Sequence, residues 1–134
     1  MILKAVWLEI EKYSHLPYYE RMHHFFEKRV RNVKENNLLS MIMDDGEAEA
    51  VLLCKEVNAD FLLIDDKKAR SIAEHFGINC IGTIGLLVKA KESDFIKELR
   101  PVFIQLLKHK RYYAISLLNG VLQKYGEASI SQTI

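Results

Sequence analysis

Two acidic clusters are the residues of this chain best suited to chemistry. Asp65 and Asp66 follow the apolar run at 61–64, and a second cluster occupies residues 44–49. A buried strand that ends in Asp places its carboxylate at the edge of a parallel sheet where ligands bind. Carboxylate oxygens suit Mg²⁺ and Mn²⁺, which orient a phosphodiester and activate water. If the acids converge, they indicate metal-dependent phosphate chemistry.

The strongest candidate ligands are Asp65 at the strand end and Glu47 on the predicted inward face of a helix, close in angle to Val51. We expect their carboxylates to lie within about 8 Å of each other, close enough to share an ion. Asp66 fits either a metal ligand or the N-cap of the following helix. A structural alternative stays open at this point. In that reading the acids only cap helices and pair with Arg70 or a nearby lysine.

The elements around these acids are predicted by apolar spacing. A fully buried strand is expected over residues 61–65, a helix over 67–76 with Gly77 after its end, and a second strand over 78–81. The two strands should be parallel neighbours, because a helix crosses between them. Asp44 is expected to cap an earlier helix in capping-box register with Glu47.

The remaining segments are predicted to be mostly helical. Helices are expected after a short apolar start over 2–13, from Pro17 to Phe26, and over 82–91, 94–109 and 116–126, the last one capped by Ser116. Within 94–109, Pro101 is expected to mark a helix start rather than an interior position. Residues 29–33 alternate like a short edge strand. The sequence therefore predicts one α/β domain over residues 1–134, with a short parallel sheet flanked by helices.

Composition excludes some functions and favours none. The chain has 49% hydrophobic and 28% charged residues and a net charge of +1, so no global field attracts nucleic acid. Residues 89–113 hold seven Lys or Arg against three Asp or Glu, which fits a solvated face or a nucleic-acid patch. Two scattered cysteines, no basic-then-apolar start and no long apolar run predict a cytoplasmic protein with no membrane span.

Seven segments together resemble the PIN domain, in particular the branch of predicted nucleic-acid-binding proteins similar to the toxins of toxin–antitoxin pairs. They cover nearly the whole chain, and the combination of the second, third and fourth is the most specific part. The segments are AVWLEI at 5–10, DDGEAEA at 44–50, LLIDDKKAR at 62–70, GTIGLL at 82–87, AK at 90–91, IS at 115–116 and GE at 126–127.

The resemblance implies a metal-dependent ribonuclease with a three-layer fold, in which a parallel sheet lies between helices. Its catalytic acids would be Glu9, Glu47, Asp65 and Asp66. The last three would hold Mg²⁺ or Mn²⁺. The implied partners are RNA and an antitoxin protein.

One departure from the family pattern bears on activity and assembly. Family members begin with a strand that ends in Asp, and here no Asp precedes Asp44. The fold is therefore expected to be N-terminally truncated, through a misplaced start, a shortened gene or a gap that a partner chain fills. We expect a homodimer or larger assembly and weak or no cleavage. The alternative function is a catalytically inactive module that binds nucleic acid or protein.

Overall fold

The computed structural model describes residues 1–33, 38–109 and 113–131. The chain divides into two compact units, residues 1–81 and 82–134. The first unit contains all four predicted site acids. The second contains only helices and connecting segments among its described residues. The prediction of a single domain over 1–134 stays a prediction.

The part of the first unit that the structure describes contains two separate pairs of parallel strands. Strand β1 (Ile2–Leu3) pairs with β2 (Val30–Arg31), and β3 (Leu62–Leu63) pairs with β4 (Cys80–Ile81). The predicted parallel pairing around 61–65 and 78–81 is thus confirmed, and so is the short strand within 29–33.

Within residues 1–33 and 38–81, four α-helices and two short 3₁₀ helices, Glu27–Arg29 and Leu38–Met41, connect these strands. The α-helices are α1 (Lys4–Glu11), α2 (Tyr19–Phe26), α3 (Asp45–Glu56) and α4 (Lys67–His75).

The core of the first unit lies between α3, α4 and the β3–β4 pair. Val51 and Ala73 are completely buried, and Ala48, Cys54 and Ala69 are nearly so. Their spacing is the apolar stripe expected of helices that cover a sheet on one face. Burial raises the pKa of the Cys54 thiol, in keeping with its role as a small apolar side chain.

Helix α4 has the local signals at both ends that the sequence predicts. Asp66 is its N-cap, and Asp66 Oδ1 accepts a hydrogen bond of 2.7 Å from the Ala69 N–H. After the helix, Gly77 adopts φ +76°, and the Ile78 N–H returns to the carbonyl of Ala73. This closing geometry favours glycine because a Cβ is strained at positive φ.

The described part of the second unit is built on three α-helices around one core. These are α5 (Thr83–Glu92), α6 (Leu99–Lys108) and α7 (Ile115–Lys124). Leu99, Phe103, Leu118 and Leu122 have no exposed surface, so the facing sides of α6 and α7 form the centre of this core. Across the described residues the fold is mixed α/β with short parallel sheets, as predicted.

Several local predictions are wrong in detail. Residues 94–98 are not helical, because Asp94 adopts φ +59° and ends α5, and the next helix begins only at Leu99. Ser116 is not the cap of α7, whose N-cap is Ala114. Asp44 does occupy the N-cap of α3, but its side chain makes no capping hydrogen bond, so the capping box is not formed.

The predicted full burial of strand β3 is also wrong. Leu63 keeps 56% of its surface exposed, and Leu62 is half-buried. Among the described residues β3 pairs only with β4, so its other edge lacks a neighbouring strand. A strand with one neighbour is buried on fewer sides than the central strand of a sheet.

Candidate functional site

Asp65 lies at the carboxyl end of β3, as predicted. The Leu62 N–H donates to the carbonyl of Asn79 at 2.8 Å, and the Ile64 N–H donates to the carbonyl of Ile81 at 3.0 Å. These bonds hold the backbone in register with β4 up to the residue before Asp65. Asp65 itself is exposed. It therefore occupies the edge of a parallel pair where ligands bind in open α/β sheets.

Asp66 has a structural task beside any chemical one. Its Oδ1 accepts the hydrogen bond from Ala69, which satisfies one of the backbone donors left open at the start of α4. The capping role that the sequence left as an alternative is therefore present. Any role of Asp66 in chemistry has to coexist with this bond.

Glu47 and Glu9 differ in their surroundings. Glu47 lies in the first turn of α3 and is half-buried, next to the buried Ala48. Glu9 is exposed on α1, a helix with no buried residue. The expectation that the Glu47 and Asp65 carboxylates lie within about 8 Å of each other stays a prediction.

Fewer than three acids meet at any one place in the described ranges. Carboxylates have the right chemistry for Mg²⁺ or Mn²⁺. However, no three His, Cys, Asp or Glu residues in the described ranges are placed so that together they could hold an ion. Glu47, Asp65 and Asp66 therefore do not form a three-ligand site in this structure.

An apolar groove lies between the two strand pairs of the first unit. We call it the strand groove, because Ile2 and Leu3 of β1 and Leu62 and Leu63 of β3 line it. Its volume is about 660 Å³, and Asp60 is the only charged side chain among the described residues that line it. Since Leu62 and Ile64 direct their N–H groups to β4, Leu63 presents its backbone to the opposite side of β3.

Glu127 is a polar residue whose role the sequence did not reveal. Its Oε1 accepts from the Leu99 N–H at 3.0 Å, its Oε2 accepts from the Arg100 N–H at 2.8 Å, and Lys91 Nζ lies 3.1 Å from Oε1. Burial raises the pKa of the Glu127 carboxyl, but the two backbone donors and the lysine outweigh it and hold the pKa below its ordinary value.

Two of the segments that carry the family resemblance are AK at 90–91 and GE at 126–127. The ion pair between Lys91 and Glu127 joins these two segments. The presence of both segments in the sequence was therefore the signal that could have predicted a role for Glu127. That role is structural, because the carboxylate accepts the hydrogen bonds at the start of α6.

Within the described ranges, no helix has the length and apolar character that a bilayer crossing requires.

Comparison with models of known families finds a match to the PIN domain over residues 1–127. Comparisons with curated proteins and with solved structures find no match.

Proposed function

The chain belongs to the PIN domain family, and on this basis we propose that it is a ribonuclease whose acidic site centres on Asp65. Glu47 and Asp66 belong to the same site, and Glu9 assists from α1. The observation that carries the proposal is the position of Asp65 at the carboxyl end of a parallel strand pair, within a chain whose family fold is of the nuclease type.

The cofactor under this proposal is Mg²⁺ or Mn²⁺, and the substrate is RNA. The similarity to toxin-like sequences extends the proposal to a cytoplasmic toxin with an antitoxin partner. Because the described acids do not gather three ligands in one place, we expect the 134-residue chain to cleave slowly. Misplacement of catalytic groups by about 1 Å can lower a rate about a hundredfold.

The second candidate is an inactive PIN module that binds nucleic acid or protein. Two observations favour it. The described residues hold no group of three acids that could bind an ion, and the Asp66 carboxylate is engaged in capping α4. Binding without cleavage would follow if the acids now serve only stability.

Cleavage of a panel of single-stranded RNAs with Mg²⁺ or Mn²⁺ separates the two candidates. Asp65→Asn should abolish the slow cleavage that we expect. Asp60→Asn should leave it unchanged, because Asp60 lies before β3, at the opposite end of the strand. Both variants remove one negative charge next to β3, and they differ only in the end of the strand that they change. A contaminating nuclease would give the same cleavage in both preparations, so the comparison also controls for contamination.

Two results would contradict the proposal. One is cleavage that survives Asp65→Asn, which would reject the site centred on Asp65. The other is no cleavage by the wild-type chain under any metal condition, which would leave the binding module.

A further inference from the structure

Helix α2 has an inner face that packs within the first unit. Tyr19, Met22, His23 and Phe26 recur at i, i+3, i+4 and i+7 and are all half-buried. The His23 ring lies 4.8 Å from the ring of Trp7 on α1 and 5.4 Å from that of Tyr19, between ring centroids. This spacing is that of a helix with one side against the protein and one side in solvent.

From the N-cap of α2 to the 3₁₀ helix at Glu27–Arg29 that follows it, the outer face alternates aromatic and cationic side chains. Tyr18, Arg21, Phe25 and Arg29 are all exposed, with Tyr18 at 52% and Phe25 at 54%. At about 100° per residue, the first three fall within about 60° of one another around the helix. The Arg29 guanidinium carbon lies over the Phe25 ring, 4.3 Å from its centroid, and the guanidinium donates to the Phe25 carbonyl. Arg29 therefore covers one face of the ring and leaves the other face for a base. We call these four residues the aromatic–cation stripe.

The charge around the stripe is positive. Between residues 18 and 31 there are four arginines or lysines and two glutamates. One of these glutamates, Glu27, lies 3.4 Å from His24 Nδ1 and 3.7 Å from His23 Nδ1. These 14 residues carry a net charge of +2, whereas the whole chain of 134 residues carries +1. The stripe is therefore a basic surface on a nearly neutral protein.

Exposed rings interleaved with guanidinium groups match the chemistry of single-stranded nucleic acid. Bases stack on aromatic side chains, and arginines neutralise the phosphates between them. An ordinary solvated helix face would carry polar and charged residues without regularly spaced rings. Single exposed rings are common, and it is their alternation with cations along one face that points to this ligand.

We propose that the aromatic–cation stripe of α2 binds single-stranded RNA, with bases stacked on Tyr18 and Phe25 and phosphates held by Arg21 and Arg29. The stripe itself fits any single-stranded nucleic acid, and the choice of RNA rests on the proposed function. The stripe would bind that substrate outside the acidic site.

The test measures binding of fluorescein-labelled, unstructured oligo-U and oligo-A by anisotropy in EDTA, so that cleavage does not interfere. Tyr18→Ala and Phe25→Ala should each weaken binding about tenfold, because stacking on one ring is lost. Tyr18→Phe should bind like the wild type, since it keeps the ring. Arg21→Gln combined with Arg29→Gln should lower the slope of log Kd against log salt concentration by about 1.4, the value for two phosphate contacts on a single strand.

Matched controls lie outside both the stripe and residues 89–113. Phe76→Ala removes a ring that is 44% exposed, and Lys55→Gln with Lys124→Gln removes two exposed cations. Neither should change Kd or its salt dependence as the stripe variants do. Circular dichroism checks folding of each variant. Phe25→Leu, which keeps apolar volume without a ring, replaces Phe25→Ala if that protein misfolds.

The outcomes separate this inference from the proposed function. Equal effects of stripe and control variants, or no RNA binding by the wild type, would overturn it. RNA binding that depends on the stripe, in a chain that does not cleave RNA, would support the stripe and reject the ribonuclease.

Discussion

The Glu127 carboxylate accepts hydrogen bonds from the first two backbone N–H groups of α6. In most helices a residue at the N-cap position accepts such bonds. The residue at that position, Glu98, makes no capping bond with its side chain. Glu127 reaches the helix from 28 positions along the chain and is joined by Lys91. Its carboxylate therefore ties the segment after α7 to the beginning of α6, and an ionised acceptor makes the stronger kind of hydrogen bond.

We predict that Glu127→Gln lowers the free energy of unfolding by about 1.5–3 kcal/mol at about pH 7, the range for hydrogen bonds to charged groups. Because the folded-state pKa of Glu127 lies below its ordinary value, this stability is present at neutral pH. It is lost as the pH falls through and below the ordinary carboxyl range. Urea unfolding followed by circular dichroism at about pH 7 and about pH 3 should show the difference shrinking in acid.

Glu98→Gln is the matched control for this prediction, since it makes the same change at an exposed residue of the same helix start. It should change stability by less than about 0.5 kcal/mol. A Glu127 effect of the same size at both pH values would show that the stabilisation is not carried by the ionised carboxylate.

At the scale of the elements, α4 connects β3 to β4, and Asp66 is its N-cap. The bond from Ala69 shows that the residue acts as a cap, while the proposed ribonuclease also places its carboxylate in the site. The two roles make different demands. A cap needs any short acceptor, and asparagine serves nearly as well as aspartate. Chemistry on phosphate needs the negative charge.

We predict that Asp66→Asn leaves the unfolding free energy unchanged but lowers RNA cleavage. Asp66→Ala should in addition cost about 1 kcal/mol, the usual loss when a cap is removed. Thermal unfolding and cleavage rates of the two variants provide the measurement. If Asp66→Asn cleaves RNA like the wild type, Asp66 only caps α4 and leaves the list of catalytic residues.

At the scale of the whole molecule, the first unit holds two strand pairs with the strand groove between them. Leu63 at 56% exposure and Phe61 at 50% line this groove on the β3 side. Open strand edges with apolar side chains promote pairing with another chain. This geometry supports the expectation of a homodimer or larger assembly. The sequence led to that expectation because the family's first strand, which ends in Asp, has no counterpart in it.

We predict that the wild-type chain is a homodimer or larger in solution and that Leu63→Lys shifts it toward monomer without lowering its melting temperature. A lysine on an open edge opposes pairing, and its exposed position leaves the core intact. Light scattering coupled to size-exclusion chromatography measures the mass. The control is Leu8→Lys, a similarly exposed leucine at 50% that does not line the groove. A wild-type mass of 15.6 kDa at every concentration would contradict the assembly.

The sequence by itself determined the parallel pair β3–β4, the crossing helix α4 and its closing glycine, and it identified the family. It left capping by Asp66 as one of two alternatives. These features follow from apolar periodicity and from backbone needs that residues a few positions apart satisfy, so the local pattern contains them. It also placed Asp65 at a strand end. The errors at Asp94 and Ser116 arose where the backbone conformation of one residue decided where a helix begins or ends.

Only the tertiary structure decided which distant groups meet. Glu127 reaches Leu99 and Arg100, and the described acids do not assemble a three-ligand site. Among the strands that the structure describes, β3 has a neighbour on one side only, and its other edge lies beside the strand groove. None of these depends on spacing along the chain, because each is set by how separate elements pack. The aromatic–cation stripe lies between these cases. Its spacing can be read from the sequence, but the exposure that makes it a surface is a property of the fold.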